Sequence, residues 1–241
     1  MKQPFCLLLL LLSATAAQAG ASWSEIVGGQ EAKPHSRPYM AYLKRHTLDF
    51  CGGFLVAKDW VMTAAHCRGN ITVILGAHDI HKQEDSQQTF AVKSYHQPSN
   101  YKLYVKNDLL LLKLNGKATL NKYVNIIHLP KTNKEVLAKA SQCSTAGWGT
   151  IDRGKATSKL FETRVTILSR KQCRSLNPAV TDGIICANSK SQAKDSSQGD
   201  AGNPLVCDGK AEGIFSHYFG DNLGFYTNIA SYISWIKKTM K

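Results

Sequence analysis

Three separated segments of the chain carry residue types that could together perform acyl-transfer chemistry. The segment MTAAHC contains His66, and the segment KNDLLLLKL contains Asp108. A histidine that takes a proton from a serine hydroxyl, with a buried carboxylate that fixes its tautomer, makes the serine nucleophilic. A third segment, KDSSQGDAGNPLVC, has the form of a catalytic loop, but Ala201 stands where the serine is expected. The sequence therefore predicts the frame of a hydrolase site without its nucleophile.

The residues around these segments indicate the elements that position them. Short apolar runs, among them ITVILGAH, LLLLKL, RVTILS and GFYTNI, are separated by Gly, Asn, Asp and Pro turns. This pattern predicts an all-β fold and leaves barrel and sandwich open. At the C-terminus four apolar residues fall at helical spacing before two lysines, which predicts a terminal helix. They are Ile229, Ile233, Ile236 and Met240.

The N-terminal residues predict export from the cell. The apolar run FCLLLLLLSATAA and the small residues after it are typical of a secretory signal peptide at residues 1–19, or 1–21 if cleavage follows Ala21. That run is shorter than a typical membrane-spanning helix, and no later segment is long and apolar enough to form one. We therefore expect a secreted protein without a transmembrane segment. The sequon at Asn70 predicts N-glycosylation.

The cysteines and the charge limit the possible cofactors and partners. Six of the seven cysteines remain once Cys6 leaves with the signal peptide, and an even count in an oxidising compartment predicts three disulfides. No Cys or His spacing fits a zinc site, so no metal is predicted. The net charge of +13 indicates either solubility alone or attraction to sulfated glycosaminoglycans or anionic bacterial surfaces. No recognition module for nucleic acid is present.

From Ile26 to the terminal helix the chain resembles the trypsin/chymotrypsin family of serine proteases, and within it the granzyme and mast-cell protease branch. The matching segments are IVGG from Ile26, PHSRPYMA from Pro34, DWVMTAAHC ending at Cys67, NDLLLLKL from Asn107, AGWG from Ala146 and GDAGNPLVC from Gly199. PHSRPYMA is especially similar to granzymes A and K. The resemblance implies two perpendicular six-stranded antiparallel β-barrels over residues 26–241, with the active site between them. It also implies storage in immune-cell granules.

The resemblance assigns roles to single residues. His66 is the base, Asp108 orients it, Ala201 occupies the nucleophile position, and the backbone N–H groups of Gly199 and Ala201 form the oxyanion hole. Cleavage after Glu25 would release residues 20–25 as a propeptide, and the new amine of Ile26 would pair with Asp200. The implied disulfides are Cys51–Cys67, Cys143–Cys207 and Cys173–Cys186.

At the implied specificity pocket, some residues match the family pattern and others differ from it. Asp195 falls at the pocket floor, where a carboxylate selects Lys or Arg. Ser216 backs the triad aspartate, and Gly224 keeps the pocket open. In place of the family's aromatic residue and glycine stand His217 and Tyr218, and we expect the tyrosine to obstruct the pocket mouth.

Two more departures lie outside the pocket. Asn203 replaces the second glycine of the family's catalytic loop. In the segment aligned with the calcium loop of trypsins, Ala77 and Gln87 replace two ligand carboxylates, so neither calcium nor any other cofactor is predicted.

The sequence thus predicts a granzyme-like serine protease homologue that is inactive as written and acts by binding in granule or extracellular immune defence. One alternative is an active endopeptidase that cleaves after Lys or Arg and whose serine at position 201 was mutated to alanine. Another is a decoy that binds polyanions or protease inhibitors. The expected partner in the cleft is a peptide or protein substrate or a protease inhibitor. We expect a monomer, because all six mature cysteines pair within the chain.

Overall fold

The structure of the chain is a computed structural model, and it describes residues 29–46, 49–103, 106–131, 142–151, 155–189, 200–219 and 223–241. Its strands are, in chain order, β1 (Gln30–Glu31), β2 (Met40–Arg45), β3 (Phe50–Ala57), β4 (Trp60–Thr63), β5 (Ile71–Leu75), β6 (Gln88–His96), β7 (Leu110–Leu114), β8 (Gln142–Gly147), β9 (Thr150–Ile151), β10 (Lys155–Ala156), β11 (Phe161–Ile167), β12 (Ile184–Ser189), β13 (Pro204–Cys207), β14 (Lys210–Phe219) and β15 (Leu223–Asn228).

Strands β2 to β7 close into the first barrel, in the order β2-β3-β4-β7-β6-β5, and all neighbours are antiparallel. Alternate side chains of a strand point to opposite faces. Strand β5 follows this rule, with Ile71, Val73 and Leu75 buried between less buried neighbours. Strand β7 differs, because its leucines at 110–112 are all fully buried. Both faces of β7 are therefore covered, which explains its unbroken apolar run.

The second barrel is formed by β8, β11, β12, β15, β14 and β13, and β8 closes the ring by pairing with both β11 and β13. Strand β1 extends the sheet beside β11, and β9 and β10 form a separate hairpin. The interior of the second barrel includes Val165, Ile185, Leu205, Phe215 and Tyr226. The predicted fold of two six-stranded antiparallel barrels is confirmed, and the choice between barrel and sandwich is settled.

Two short α-helices complete the described chain. Helix α2 (Ile233–Thr239) follows a 3₁₀ turn at Ile229–Tyr232, and its buried isoleucines pack on the first barrel, which confirms the predicted terminal helix. Helix α1 (Arg170–Leu176) is absent from the sequence-based prediction, although Ser169 and Gln172 form a capping box at its start. Within the described residues no helix combines the length and the apolar character that a membrane crossing requires.

Three disulfides connect elements around the two barrels, and they join the pairs that the family resemblance implies. They are Cys51–Cys67, Cys143–Cys207 and Cys173–Cys186. The first ties β3 to the turn that carries His66, the second ties β8 to β13, and the third ties α1 to β12. Asn70 is exposed immediately before β5.

Candidate functional site

His66 and Asp108 meet although they are far apart in the chain. His66 lies in a 3₁₀ turn (Ala65–Cys67) just after β4, and Asp108 lies just before β7, the strand that pairs with β4. Nδ1 of His66 is 2.8 Å from Oδ2 of Asp108, and the backbone N–H of His66 donates to Oδ1 over 3.0 Å. Because the carboxylate accepts from Nδ1–H, the other ring nitrogen, Nε2, is the one that can act as a base.

The second barrel completes the surroundings of Asp108. Oγ of Ser216 donates to Oδ2 of Asp108 over 2.5 Å, and Oγ1 of Thr227 donates to the Asp108 carbonyl over 2.8 Å. Burial of Asp108 opposes its ionisation, but the hydrogen bonds from His66 and Ser216 and the charge of His66 outweigh that effect. The pKa of Asp108 is therefore held below its ordinary value. An ionised carboxylate in this place keeps the imidazole oriented.

His217 extends this chain of hydrogen bonds by one residue. Its Nδ1 is 3.0 Å from Oγ of Ser216, and because the Ser216 proton goes to Asp108, Oγ accepts from Nδ1–H of His217. Burial lowers the pKa of His217. The charge of Asp108 raises this pKa and the charge of His66 lowers it, and the net result is a pKa below the ordinary value. The ring also meets Phe225 edge-on, with centroids 5.3 Å apart. A neutral His217 thus supports the triad carboxylate through Ser216.

The loop that carries Ala201 is anchored to both barrels by its backbone. Gly52 on β3 donates its N–H to the Ala201 carbonyl over 2.8 Å, and Gly202 donates to the Phe215 carbonyl on β14 over 2.9 Å. Gly202 has φ +88°, and a Cβ there would lie 2.1 Å from Oγ1 of Thr63. Only glycine fits this position, so the loop has one conformation beside the turn that carries His66. Ala201 contributes a methyl group, which cannot attack a carbonyl.

Asn203 fills a narrow space between the barrels. Its side chain is 2% exposed, and its Nδ2 donates to Oδ1 of Asp200 over 3.3 Å. A Cβ on Gly52 would lie 1.6 Å from Oδ1 of Asn203, and one on Gly147 would lie 2.1 Å from Nδ2. The amide thus occupies volume left by two glycines, one from each barrel. Through its bond to Asp200 it also helps to orient that carboxylate.

The predicted pocket residues that the structure describes lie on the β14–β15 hairpin. Tyr218 pairs with Gly224 across the two strands, and its ring packs on Phe215 with centroids 4.7 Å apart. Tyr226 is fully buried beside them, and burial raises its pKa well above the ordinary value, with the charges of Tyr218 and Asp200 adding to the effect. Tyr218 is half-buried, and its ring packs against the core of the second barrel, while its expected effect on the pocket mouth stays a prediction.

Several predicted site residues lie outside the described residues. They are Glu25, Ile26, Asp195 and Gly199. Of the three predicted catalytic positions, His66 and Asp108 are in direct contact, and the Ala201 carbonyl lies 3.7 Å from Sγ of Cys67, the residue after His66. Asp108 lies where β7 of the first barrel meets β14 and β15 of the second. Among the described residues no group of three or more His, Cys, Asp or Glu side chains could hold a metal ion.

Sequence reasoning missed two contributors to this site. No sequence motif marks Thr227, because threonine is common in strands. Only the fold places its hydroxyl against the Asp108 carbonyl. A cavity of about 210 Å³ behind Asp108 and His217 is the second, and Tyr232 and Lys106 also line it. Its walls come from both barrels, so no local pattern predicts it.

Comparisons with known proteins agree on one family. The family model for Trypsin matches residues 26–236. Granzyme B of Homo sapiens is 43% identical over 255 residues, which cover 99% of this chain and 99% of that protein. Cathepsin G of Homo sapiens is 39% identical, with 99% of this chain and 95% of that protein covered. The solved structure described as "Structure of GrC" is similar with a TM-score of 0.83 at 37% identity, covering 89% of this chain and 99% of that one.

Proposed function

Since the chain belongs to the trypsin family of serine proteases and is granzyme-like, we propose that it is a catalytically inactive homologue that binds peptide segments in its cleft. Proteins of this fold bind peptide substrates or inhibitors between their barrels. In this proposal the protein is secreted, with storage in immune-cell granules before release, and acts by binding in immune defence. The particular nearness to granzymes A and K stays a prediction.

One observation supports the proposal: an alanine, Ala201, stands where the family resemblance puts the nucleophile, while His66 and Asp108 keep their contact. The Asp108 carboxylate is bound by His66 and Ser216, and the Ala201 loop is anchored to both barrels. Removing a serine nucleophile from such a frame costs about a millionfold in turnover, or roughly 8 kcal/mol of barrier. Binding does not need the hydroxyl, so the cleft keeps its capacity to hold a peptide.

The changes near Ala201 favour this proposal over an active endopeptidase that cleaves after Lys or Arg and lost its serine by mutation. A single mutation would leave the neighbouring positions in the family pattern. Here His217, Tyr218 and Asn203 depart from it as well, and each is packed into its surroundings. These three changes together favour a site that binds a peptide over one that cleaves it.

Two steps of maturation belong to the proposal. The signal peptide at residues 1–19 and the propeptide at residues 20–25 are removed, and the amine of Ile26 pairs with Asp200. The observation that supports this pairing is that Asp200 lies against the backbone between the barrels, where a Cβ on Gly149 would be 2.3 Å from its Oδ1.

Polyanions are a second class of partner that the charge favours. The chain carries 30 basic and 17 acidic residues. Helix α1 presents Arg170, Lys171 and Arg174, and helix α2 ends with Lys237 and Lys238. On α1 the two arginines share Asp182 as an ion-pair partner, so positive charge remains in excess there. A sulfated glycosaminoglycan or an anionic bacterial surface would be attracted to this excess.

The proposal is tested by comparing the chain with its Ala201→Ser variant, both processed to begin at Ile26. We expect the unaltered chain to hydrolyse peptide esters at about 10⁵- to 10⁶-fold lower kcat than Ala201→Ser. Esters with alanine and with arginine before the scissile bond should both be assayed. Ala201→Ser combined with His66→Ala is the matched control and should lose the gained activity.

One result would contradict the proposed inactivity, and a second would contradict the premise that the site lacks only its nucleophile. Turnover by the unaltered chain within tenfold of Ala201→Ser would show that it is an active enzyme. Failure of Ala201→Ser to gain activity on any ester, in a protein that stays folded, would show that the frame around Ala201 is not competent.

A further inference from the structure

The cavity of about 210 Å³ beside Asp108 has an inner part and a rim of different chemistry. Its walls come from both barrels. Buried residues such as Phe225 form the inner part, whereas the exposed residues Lys106 and Thr181 lie at the rim. A ligand that enters the cavity from solvent therefore passes the rim first and buries its leading end.

Hydrogen bonds fix the walls of the cavity. Oη of Tyr232 donates to Oδ1 of Asn107 over 2.9 Å. The guanidinium of Arg170 donates to the carbonyl oxygens of Thr181 and Ile184, the latter over 3.0 Å. The cavity is therefore formed before a ligand enters, and binding does not have to order its walls.

The volume of the cavity sets the size of its occupant. A water molecule takes about 30 Å³ of the liquid, so 210 Å³ equals roughly seven waters. An apolar cavity of about 150 Å³ in another protein holds one benzene molecule, and pockets for drug-sized ligands begin at about 300 Å³. The space therefore fits one six-membered ring with one small substituent.

Aromatic and aliphatic side chains line the inner part of the cavity. They are Phe225, Tyr226, Tyr232 and Ile184. Phe225 and Tyr226 are each 3% exposed, so a ring placed against them is removed from water. An aromatic ligand can also meet these rings edge-on or offset, which are the arrangements that aromatic pairs prefer. The inner part therefore favours an aromatic ring over a polar group.

The polar groups of the inner part are engaged within the protein. Oδ2 of Asp108 accepts from Nδ1 of His66 and from Oγ of Ser216. Oγ1 of Thr227 donates to the Asp108 carbonyl. These groups therefore offer little to a polar ligand, and the negative charge of Asp108 repels an anion. An anionic group of a ligand belongs at the rim instead.

Lys106 and Thr181 give the rim its hydrogen-bond donors. Both side chains are exposed, and the ammonium of Lys106 forms no ion pair with any residue that the structure describes. An ammonium and a hydroxyl can both donate to a carboxylate, and the bond between two ions is the stronger one. The rim therefore favours a carboxylate.

We propose that this cavity binds a small aromatic carboxylate of the size of benzoate, with its ring against Phe225 and Tyr226 and its carboxylate at Lys106. Neither His66 nor Ala201 lines the cavity, so the ligand is held without contact with them. This site needs neither an inactive catalytic frame nor a peptide in the cleft. It is therefore independent of the proposed function.

The test compares three probes by their dissociation constants, measured by NMR titration of the chain that begins at Ile26. The probes are benzoate, benzylammonium, which joins a similar ring to the opposite charge, and acetate, which lacks the ring. At about 0.15 M salt, charges farther apart than about 8 Å are largely screened, so diffuse attraction to the basic surface contributes little. We expect benzoate to bind at least tenfold more tightly than either of the other probes.

A cavity-filling variant tests the location of the ligand. Gly183 lines the cavity, and a Cβ there would meet its nearest neighbours, Oη of Tyr232 and Oγ1 of Thr181, only at 3.5 and 3.6 Å. Gly183→Leu should therefore fill the space and weaken benzoate binding at least tenfold. The matched control is Gly69→Leu, at an exposed glycine of the first barrel, which should leave the affinity unchanged.

A charge-reversal variant tests the rim. Lys106→Glu should weaken benzoate binding at least tenfold and make benzylammonium the tighter of the two aromatic probes. Lys93→Glu, at another exposed lysine, should do neither. If Gly183→Leu does not fold, the reversal in Lys106→Glu decides the question, because that side chain is exposed.

Three results would overturn the proposed site. Equal affinities for benzoate and acetate would show adsorption to surface charge. Tighter binding of benzylammonium than of benzoate by the unaltered chain would show that Asp108, and not Lys106, selects the ligand. Benzoate affinity that both Gly183→Leu and Lys106→Glu leave unchanged would place the ligand elsewhere. None of these results bears on ester hydrolysis by Ala201→Ser, which tests the proposed function separately.

Discussion

The surroundings of Asp108 and the surroundings of Ala201 belong to one site but differ in how far they keep the family pattern. Asp108 is held by His66 from one barrel and by Ser216 and Thr227 from the other, as an active protease would require. Around Ala201, by contrast, Asn203, His217 and Tyr218 depart from the family pattern, and the ring of Tyr218 packs on that of Phe215. The contacts of Asp108 also join the barrels, so they serve stability whether or not a peptide is cut.

The largest effect is expected from altering Asp108 once the nucleophile is restored. In the Ala201→Ser background, Asp108→Asn should lower kcat about 10⁴-fold, because an amide favours the wrong tautomer of His66. The matched control is Asp59→Asn, which removes a carboxylate that pairs with Lys113 at 2.8 Å elsewhere in the first barrel. A loss of similar size in the control would mean that Asp108 acts through stability alone.

A smaller effect is expected on the free energy of unfolding when the Ala201 loop is disturbed. Gly202→Ala would place a Cβ 2.1 Å from Oγ1 of Thr63 at φ +88°, whereas Gly209→Ala, at φ +75°, has no atom within 4 Å. Both substitutions incur the backbone cost of about 1–2 kcal/mol, and Gly202→Ala adds the overlap. Urea unfolding should show Gly202→Ala less stable than Gly209→Ala by about 2 kcal/mol. Equal losses would show that the loop can shift freely.

The smallest effect concerns pH. The lowered pKa of His217 means that the folded protein favours its neutral form, so stability is full above the ordinary histidine pKa of about 6.5 and falls as the pH drops below it. The lowered pKa of Asp108 acts in the same direction at lower pH: its contribution is present above the ordinary aspartate value and is lost as the pH falls towards the folded one.

Urea midpoints measured from pH 7.5 to 5 test the histidine part. His217→Phe should flatten the dependence in this range relative to the unaltered chain. His46→Phe, at an exposed histidine, should leave it as it is. If both variants give the slope of the unaltered chain, neutral His217 has no part in the acid sensitivity of the site.

Local patterns in the chain were enough for four of the strands, β5, β7, β11 and β15, and for the terminal helix. An apolar run such as that of β7 can be recognised in the sequence, because a strand that is buried on both faces requires apolar residues at successive positions. The cap of α1 was equally local, with Ser169 and Gln172 three residues apart, and could have been predicted. The direction of Tyr218 could not, because it depends on the partner that β14 finds across the hairpin.

Residue types and their order along the chain are sufficient to predict an acyl-transfer frame with Ala201 at its nucleophile position, because the chemistry of a side chain does not depend on the fold. Contacts between distant segments are a different matter. The bonds from Ser216 and Thr227 to Asp108 span 108 and 119 residues. The fit of Asn203 between glycines of two barrels likewise needs both barrels closed and packed. Such contacts exist only when register and packing have brought the strands together.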